Sequence, residues 1–131
     1  MLKSMSNQGK DAVQIARDLL ADIPDDPMQA VEQLSRARDA VDAALDEAMA
    51  RAALEGASFR SVASRAGLAP NSVAPRLART AALSPYADPA GRVGSAGVER
   101  ARYDAEQGRP APAAAPEPRL RFRRRTPGGA S

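Results

Sequence analysis

Two stretches of the chain place apolar residues three and four positions apart, the spacing that puts them on one face of an α-helix. The first runs from about Gln8 to Asp22, and its stripe consists of Val13, Ala16, Leu20 and Ile23, with Ile15 and Leu19 beside it. Two prolines and three aspartates between positions 22 and 27 end this helix. The pattern therefore predicts a flexible N-terminus over 1–7 and then a first helix.

A second, longer helix is predicted to begin at Asp26. This residue is a typical N-cap, Pro27 suits the first helical position, and Gln29 completes a pattern like that of a capping box. Because no glycine or proline follows until Gly56, the helix spans about 29 residues and about 43 Å. Its apolar positions, which we call the seam, step by three and four and are interrupted by Arg38: Val31, Leu34, Val41, Leu45, Ala48 and Ala52.

A helix of this length cannot be buried alone in a small domain. It pairs with the first helix as an antiparallel hairpin, with a second copy as a coiled coil, or with both. We therefore predict a helical arm over 8–56 and a homodimer contact over 28–55. A helix that only folds back within one chain is an equally good interpretation.

The residues from Ser58 to Leu77 predict two short helices joined by a tight turn. Ser58 caps the first helix, and Gly67 supplies the left-handed backbone that the turn needs. The second helix starts at Ala69 or at Asn71. The inward positions have the spacing of a helix-turn-helix motif: Val62, Ala63, Ala66, Leu68, Val73 and Leu77.

The next residues predict a small two-stranded wing and a last helix. The segments 83–86 and 92–93 are short and extended, and a turn over 87–91 joins them. Ser95 caps a helix that ends at Gly108, with Val98, Ala101 and Ala105 on one face. The expected fold is mainly α: a helical arm, a winged helix-turn-helix over 57–107 and a tail over 108–131.

The run VASRAGLAPNSVAPRL, followed by ALSPYADPAGRV and GVERAR, resembles the DNA-binding head of MerR-type regulators over about residues 58–106. The resemblance implies a winged head that docks on DNA. In MerR-type regulators the head precedes the dimerisation helix, whereas here the long helix comes first. The wing is short and the chain has no cysteine to sense a metal. The docking mode is therefore implied, and the switching mechanism is not. A weaker similarity, over GASFRSVASRAGLAPNSV, is to sigma-factor-like modules.

Charge is distributed unevenly between the two halves of the chain. Residues 1–57 carry 6 basic and 11 acidic side chains, whereas residues 58–131 carry 13 basic and 5 acidic ones. No carboxylate lies between Gly56 and Ala87, a stretch with four arginines. Because arginine binds phosphate through a bidentate fork, the second half predicts a polyanionic partner.

Bacterial proteins with a helix-turn-helix usually bind double-stranded DNA, although some use the motif only for packing or for protein contacts. Asn71 and Ser72 open the recognition helix, where side chains reach base edges, although Asn71 is equally well explained as an N-cap. Arg76 and Arg79 are predicted at phosphates, and Arg92 at a minor groove or a flanking phosphate. The candidate DNA contacts are Asn71, Ser72, Arg76, Arg79, Thr80, Arg92 and Arg60.

The tail has five prolines in its last 23 residues and few apolar side chains, which predicts disorder. Its arginines are predicted to contact phosphates: Arg119, Arg121, Arg123, Arg124 and Arg125. The alternatives are a solvated tail without function and a tail that binds an acidic protein surface.

Composition argues against catalysis and metal binding. The chain has neither cysteine nor histidine, so we expect no disulfide, zinc site, cofactor or enzymatic activity. The carboxylates of the second helix are predicted on a solvated face: Asp39, Asp42, Asp46 and Glu47. No apolar run suits a membrane helix or a signal peptide, so a cytoplasmic protein is expected, at the nucleoid if it binds DNA.

These patterns together predict sequence-biased binding to double-stranded DNA by a homodimer. The protein is then a small transcriptional regulator or an accessory factor of a phage or mobile element. Two alternatives remain: an adaptor that binds another protein through its acidic, alanine-rich arm, and a nonspecific nucleic-acid binder driven by the basic tail.

Overall fold

The computed structural model describes residues 2–112, with side chains described from Gly9 onward. The first helix begins at Leu2 rather than near Gln8. No helix in this part of the chain is long and apolar enough to cross a membrane. The described α-helices are α1 (Leu2–Ala21), α2 (Pro27–Leu54), α3 (Phe59–Ala66), α4 (Val73–Leu77) and α5 (Ser95–Glu106), with 3₁₀ helices at Pro70–Ser72 and Ser84–Tyr86.

The arm is an antiparallel hairpin of α1 and α2 within one chain, as one of the predicted alternatives had it. Asp26 caps α2 as predicted, since its Oδ2 accepts a hydrogen bond of 3.0 Å from the Gln29 N–H. The Gln33 amide donates to the carbonyl oxygens of Leu19 at 2.6 Å and Asp22 at 2.9 Å. These bonds satisfy carbonyl groups that the end of α1 leaves without helical partners.

The two helices pack through small residues. Ala16 of α1 and Ala37 of α2 are buried, and a Cβ added to Gly9 would lie 3.7 Å from the Cβ of Glu47. The predicted stripe of α1 is therefore only partly correct, because Val13 and Leu20 remain exposed. Alanine and glycine let the two backbones approach closely, so the larger apolar residues beside them stay outside the contact.

The seam of α2 is not the surface that contacts α1. Val31, Leu34 and Val41 are 61%, 45% and 50% exposed. The hairpin uses the neighbouring alanine face of α2 and leaves the N-terminal half of the seam uncovered.

The head, residues 58–107, packs against the C-terminal half of α2. It begins with the two short helices and the tight turn that are predicted for this segment: Ser58 Oγ accepts from the Ser61 N–H at 3.0 Å, and Gly67 is left-handed with φ +72°. The Leu68 N–H closes the turn on the Ala63 carbonyl at 2.9 Å. The shared core consists of Met49, Ala50, Ala53, Val62, Ala63, Val73, Leu77, Leu83, Val93, Val98 and Ala101.

The second helix of the motif is built in two pieces, which we call together the recognition segment, 70–77. Its first turn is the 3₁₀ helix Pro70–Ser72, and α4 follows. Pro75 is then the third residue of α4, where a backbone N–H would have no helical partner. The proline is therefore accommodated without breaking the helix.

The predicted two-stranded wing is wrong, because residues 2–112 contain no β-strand. Within the predicted strand 83–86, Ser84–Tyr86 is a 3₁₀ helix in which Pro85 has no N–H to offer a strand partner. The Val93 N–H bonds to the Ala74 carbonyl of α4 at 3.0 Å rather than across a wing. Leu83 and Val93 are both buried, so core packing and not strand pairing holds this loop.

α5 closes the head on the side of this loop. Gly94 and not Ser95 is its N-cap residue, and no side chain caps it. Val98 and Ala101 are buried as predicted, whereas Ala105 is exposed. The Tyr86 hydroxyl donates to Asp104 Oδ2 at 2.8 Å and ties the 3₁₀ turn to α5.

The turn at Gly67 gives a first prediction. Gly67→Ala places a Cβ on a backbone with φ +72° and should lower the free energy of unfolding by about 1 kcal/mol. Gly9→Ala is the matched control, because Gly9 lies inside α1 and the added Cβ makes only an ordinary contact, 3.7 Å from the Glu47 Cβ. Urea denaturation followed by circular dichroism measures both. Equal stability of the two variants would contradict the strained turn.

Candidate nucleic-acid interface

A carboxylate of α2 fixes the recognition segment to the arm. Arg76 Nη1 donates to Asp46 Oδ1 at 2.9 Å, and Arg79 Nη2 donates to Asp46 Oδ2 at 2.9 Å. The Asp46 side chain is 8% exposed, against 22% for Arg76 and 61% for Arg79. Asp46 therefore holds both arginines from beneath the recognition segment.

This cluster overturns the solvated-face prediction for Asp46. The residue lies on the buried face of α2, at helical spacing from Met49, Ala50 and Ala53. That spacing is visible in the sequence and is the signal that could have found Asp46. Arg76 and Arg79 are predicted at phosphates, but in the structure they donate hydrogen bonds to a carboxylate of their own chain.

Further carboxylates surround the pair. Arg76 Nη1 lies 3.9 Å from Asp42 Oδ1, and Asp39 and Glu47 line the same shallow groove as Arg79. Burial is the main cause that raises the pKa of Glu47, with Asp46 adding to the rise and a backbone contact at Ala81 opposing it. Glu47 Oε1 is buried without a hydrogen-bond partner among the described residues.

The prediction that Thr80 contacts DNA is wrong, because the residue is buried. Its Oγ1 donates to the Leu77 carbonyl at 2.7 Å and accepts from the Leu83 N–H at 3.3 Å. The hydroxyl ends the recognition segment by replacing lost helical bonds.

The start of the recognition segment is open to solvent. Asn71 is exposed and Ser72 half-buried. Neither side chain caps a helix, because Ala69 and Ser72 occupy the cap positions of the 3₁₀ helix and of α4 without side-chain bonds. The N-cap alternative for Asn71 is therefore wrong, and its amide is available to a ligand.

Arg92 is exposed at the end of a compact loop. Asp88 organises this loop, since its Oδ1 accepts from the Ala90 N–H at 2.9 Å and the Arg92 N–H at 3.0 Å. The Asp88 N–H in turn donates to the Arg92 carbonyl at 2.8 Å. The loop presents Arg92 at a defined position without any strand.

Arg60 lies elsewhere. With Arg65 it lines a groove of about 720 Å³ between α2 and α3, and no residue of the recognition segment contributes to that groove. The predicted tail contacts, Arg119 to Arg125, lie outside the described residues. Within 2–112, no group of three or more acidic side chains is arranged to hold a metal ion.

Comparison of the chain with protein-family models, with curated proteins and with solved structures gives no significant match.

The Asp46 cluster gives a second prediction. Asp46→Ala leaves the partly buried guanidinium of Arg76 without its main partner and should lower the free energy of unfolding by about 2 kcal/mol. Asp39→Ala, an exposed carboxylate on the same helix, should change it by less than about 0.5 kcal/mol. Chemical denaturation of both variants is the measurement. A loss no larger for Asp46→Ala than for Asp39→Ala would contradict the assigned role.

Glu47 gives a prediction about pH. Because its pKa is raised in the folded chain, wild type gains stability from this group as the pH falls and loses it as the pH rises through that pKa. Glu47→Gln should therefore unfold at a higher urea concentration than wild type at pH 7. The difference should vanish below the ordinary glutamate pKa of about 4.3. A constant difference from pH 3 to pH 7 would disprove the assignment.

Proposed function

We propose that the chain binds double-stranded DNA through the helix-turn-helix of α3 and the recognition segment, with the C-terminal half of α2 as the supporting helix. The observation that carries this proposal is the local geometry. Gly67 makes the left-handed turn, Val73 and Leu77 lie in the core, and Asn71 is exposed where the recognition segment begins. In helix-turn-helix proteins this end of the second helix meets the base edges of the major groove.

The charge distribution supports the same function. Residues 58–112 carry eight arginines and four carboxylates, whereas residues 1–57 carry more acidic than basic side chains. A duplex is attracted to the head and repelled by the arm, so long-range electrostatics orients the encounter.

The roles of individual residues follow from their exposure and their partners. Asn71 reads a base edge, because its amide is exposed and asparagine pairs bidentately with adenine. Arg92 contacts a phosphate beside the recognition segment. Arg76 and Arg79 act mainly through Asp46, by holding the segment on α2, and the N–H groups of Arg79 that Asp46 leaves free reach a phosphate.

Binding of another protein through the arm is a second candidate function. The exposed side chains of Val31, Leu34 and Val41 favour it, because contiguous apolar surface on a small protein marks an interaction site.

Selection from a pool of random-sequence duplexes, followed by fluorescence anisotropy across salt concentrations, tests the proposal. The full chain should enrich a motif. Asn71→Ala should lose preference at one base position, and Arg92→Ala should weaken all duplexes alike and reduce the log–log salt slope by about 0.9. Arg36→Ala is the control of equal charge change on the exposed surface of the arm, and it should leave the slope unchanged.

The same assay separates the alternatives. Replacing the five tail arginines by glutamine in the full chain should lower affinity and preserve the motif. Loss of all binding in that variant would assign nucleic-acid binding to the tail. Absence of binding by wild type at about 10 μM and physiological salt would overturn the DNA proposal and favour the adaptor.

A further inference from the structure

We infer that the seam of α2 is covered by a second copy of this chain, paired antiparallel. In this pairing the N-terminal half of each α2 lies in the α2–α3 groove of the other copy. The inference deepens the proposed function, because it defines the geometry of the dimer that presents two helix-turn-helix units.

The first observation is an apolar face of the arm to which both helices contribute and which Arg38 interrupts. Val13 and Arg17 of α1 line a groove with Ala44 and Ala48 of α2, so Val13 lies on the seam side of the hairpin. Leu20, seven residues further along α1, shares that side. The exposed large apolar residues of this face come from both helices: Val13, Leu20, Val31, Leu34 and Val41.

The second observation is a gradient of side-chain size along the seam. Its N-terminal half carries Val31, Leu34 and Val41, which project from the surface. Its C-terminal half ends in Ala48 and Ala52, where the surface recedes into the groove of about 720 Å³ between α2 and α3. The floor of that groove includes Leu45, Ala48, Met49, Ala52 and Ala66.

An antiparallel pair matches these two halves. With Val41 on the two-fold axis, Leu34 of one copy lies at the height of Ala48 of the other, and Val31 lies close to the height of Ala52. On both sides of the axis, large residues then meet small ones, as knobs enter holes between paired helices. A parallel pair sets large against large and leaves the groove empty.

The charges at the α2–α3 groove also favour a second copy of this chain as the molecule that fills it. Arg60 and Arg65 stand at the rim of the groove and form no ion pair within the described residues. The N-terminal end of α2 and the loop before it are acidic, with Asp25, Asp26 and Glu32. Antiparallel pairing brings this acidic end to the arginines, whereas the arginine-rich tail of the chain is repelled by them.

The pairing also suits the proposed function. A two-fold axis perpendicular to both α2 helices places the two heads at opposite ends and on the same side of the pair. Ala50, in the core beneath each head, lies nine residues from the axis, so the two Ala50 positions are about 27 Å apart along the helices.

Single-cysteine variants of the full chain test the register, because the natural sequence has no cysteine. Val41→Cys should form disulfide-linked dimers on oxidation. Leu34→Cys alone should remain unlinked, because its two copies are about 21 Å apart and a disulfide needs Cα atoms within about 7 Å. A mixture of Leu34→Cys and Ala48→Cys should give the mixed dimer. Ile15→Cys, exposed on the opposite flank of α1, is the control for random collision.

Sedimentation of the unmodified chain provides the second measurement. A dimer mass at 10–100 μM (about the range of such instruments and of the crosslinking) together with the three crosslinking results supports the inference. A monomer throughout that range overturns it. Self-linkage of Leu34→Cys as extensive as that of Val41→Cys also overturns it, because it shows a parallel pair.

These results are independent of DNA. A monomer that still enriches a motif would overturn the dimer and leave the proposed function intact. A dimer in the predicted register that binds no duplex would do the reverse.

Discussion

The structure depends on α2, a single helix that has to satisfy different neighbours on different faces. One face carries alanines and packs against α1. A second face carries Asp46, Met49, Ala50 and Ala53 and forms the floor of the head. Because the arm and the head share this helix, the position of the recognition segment is fixed relative to the arm. The third face, the seam, has no neighbour in its N-terminal half within the described chain.

Asp46 adds an electrostatic connection between α2 and the head. A buried carboxylate is costly unless it is paired and hydrogen-bonded. Here the guanidinium groups of Arg76, in the recognition segment, and of Arg79, just after it, provide both. The pairing draws positive charge away from the surface on which a duplex would bind. The head therefore differs from a helix-turn-helix whose second helix presents all its arginines. In the proposed function, shape, Asn71 and the compact loop at Arg92 carry more of the recognition.

Much of the fold follows from local signals in the sequence. The carboxylate of Asp26 and the hydroxyl of Ser58 cap helices at the predicted positions, and Gly67 makes a turn that needs a left-handed backbone. The wing was mispredicted because short apolar pairs such as Leu83 and Val93 look alike in a strand and in a buried loop. Thr80 was misassigned for a related reason. Helical spacing shows which residues share a face, but it does not show which of them the next segment of the chain covers.

The sequence by itself determined the course of the helices, the caps at Asp26 and Ser58, the helix-turn-helix spacing and the division of charge, because each of these depends on neighbours within a few positions. Only the tertiary structure decided which face of α2 meets α1, that Arg76 and Arg79 pair with Asp46, and that Val93 bonds to α4 instead of a strand. Those outcomes depend on how closely two backbones approach and on which long-range partner satisfies a polar group. Alanine-rich helices offer several nearly equivalent faces, so periodicity alone does not choose among them.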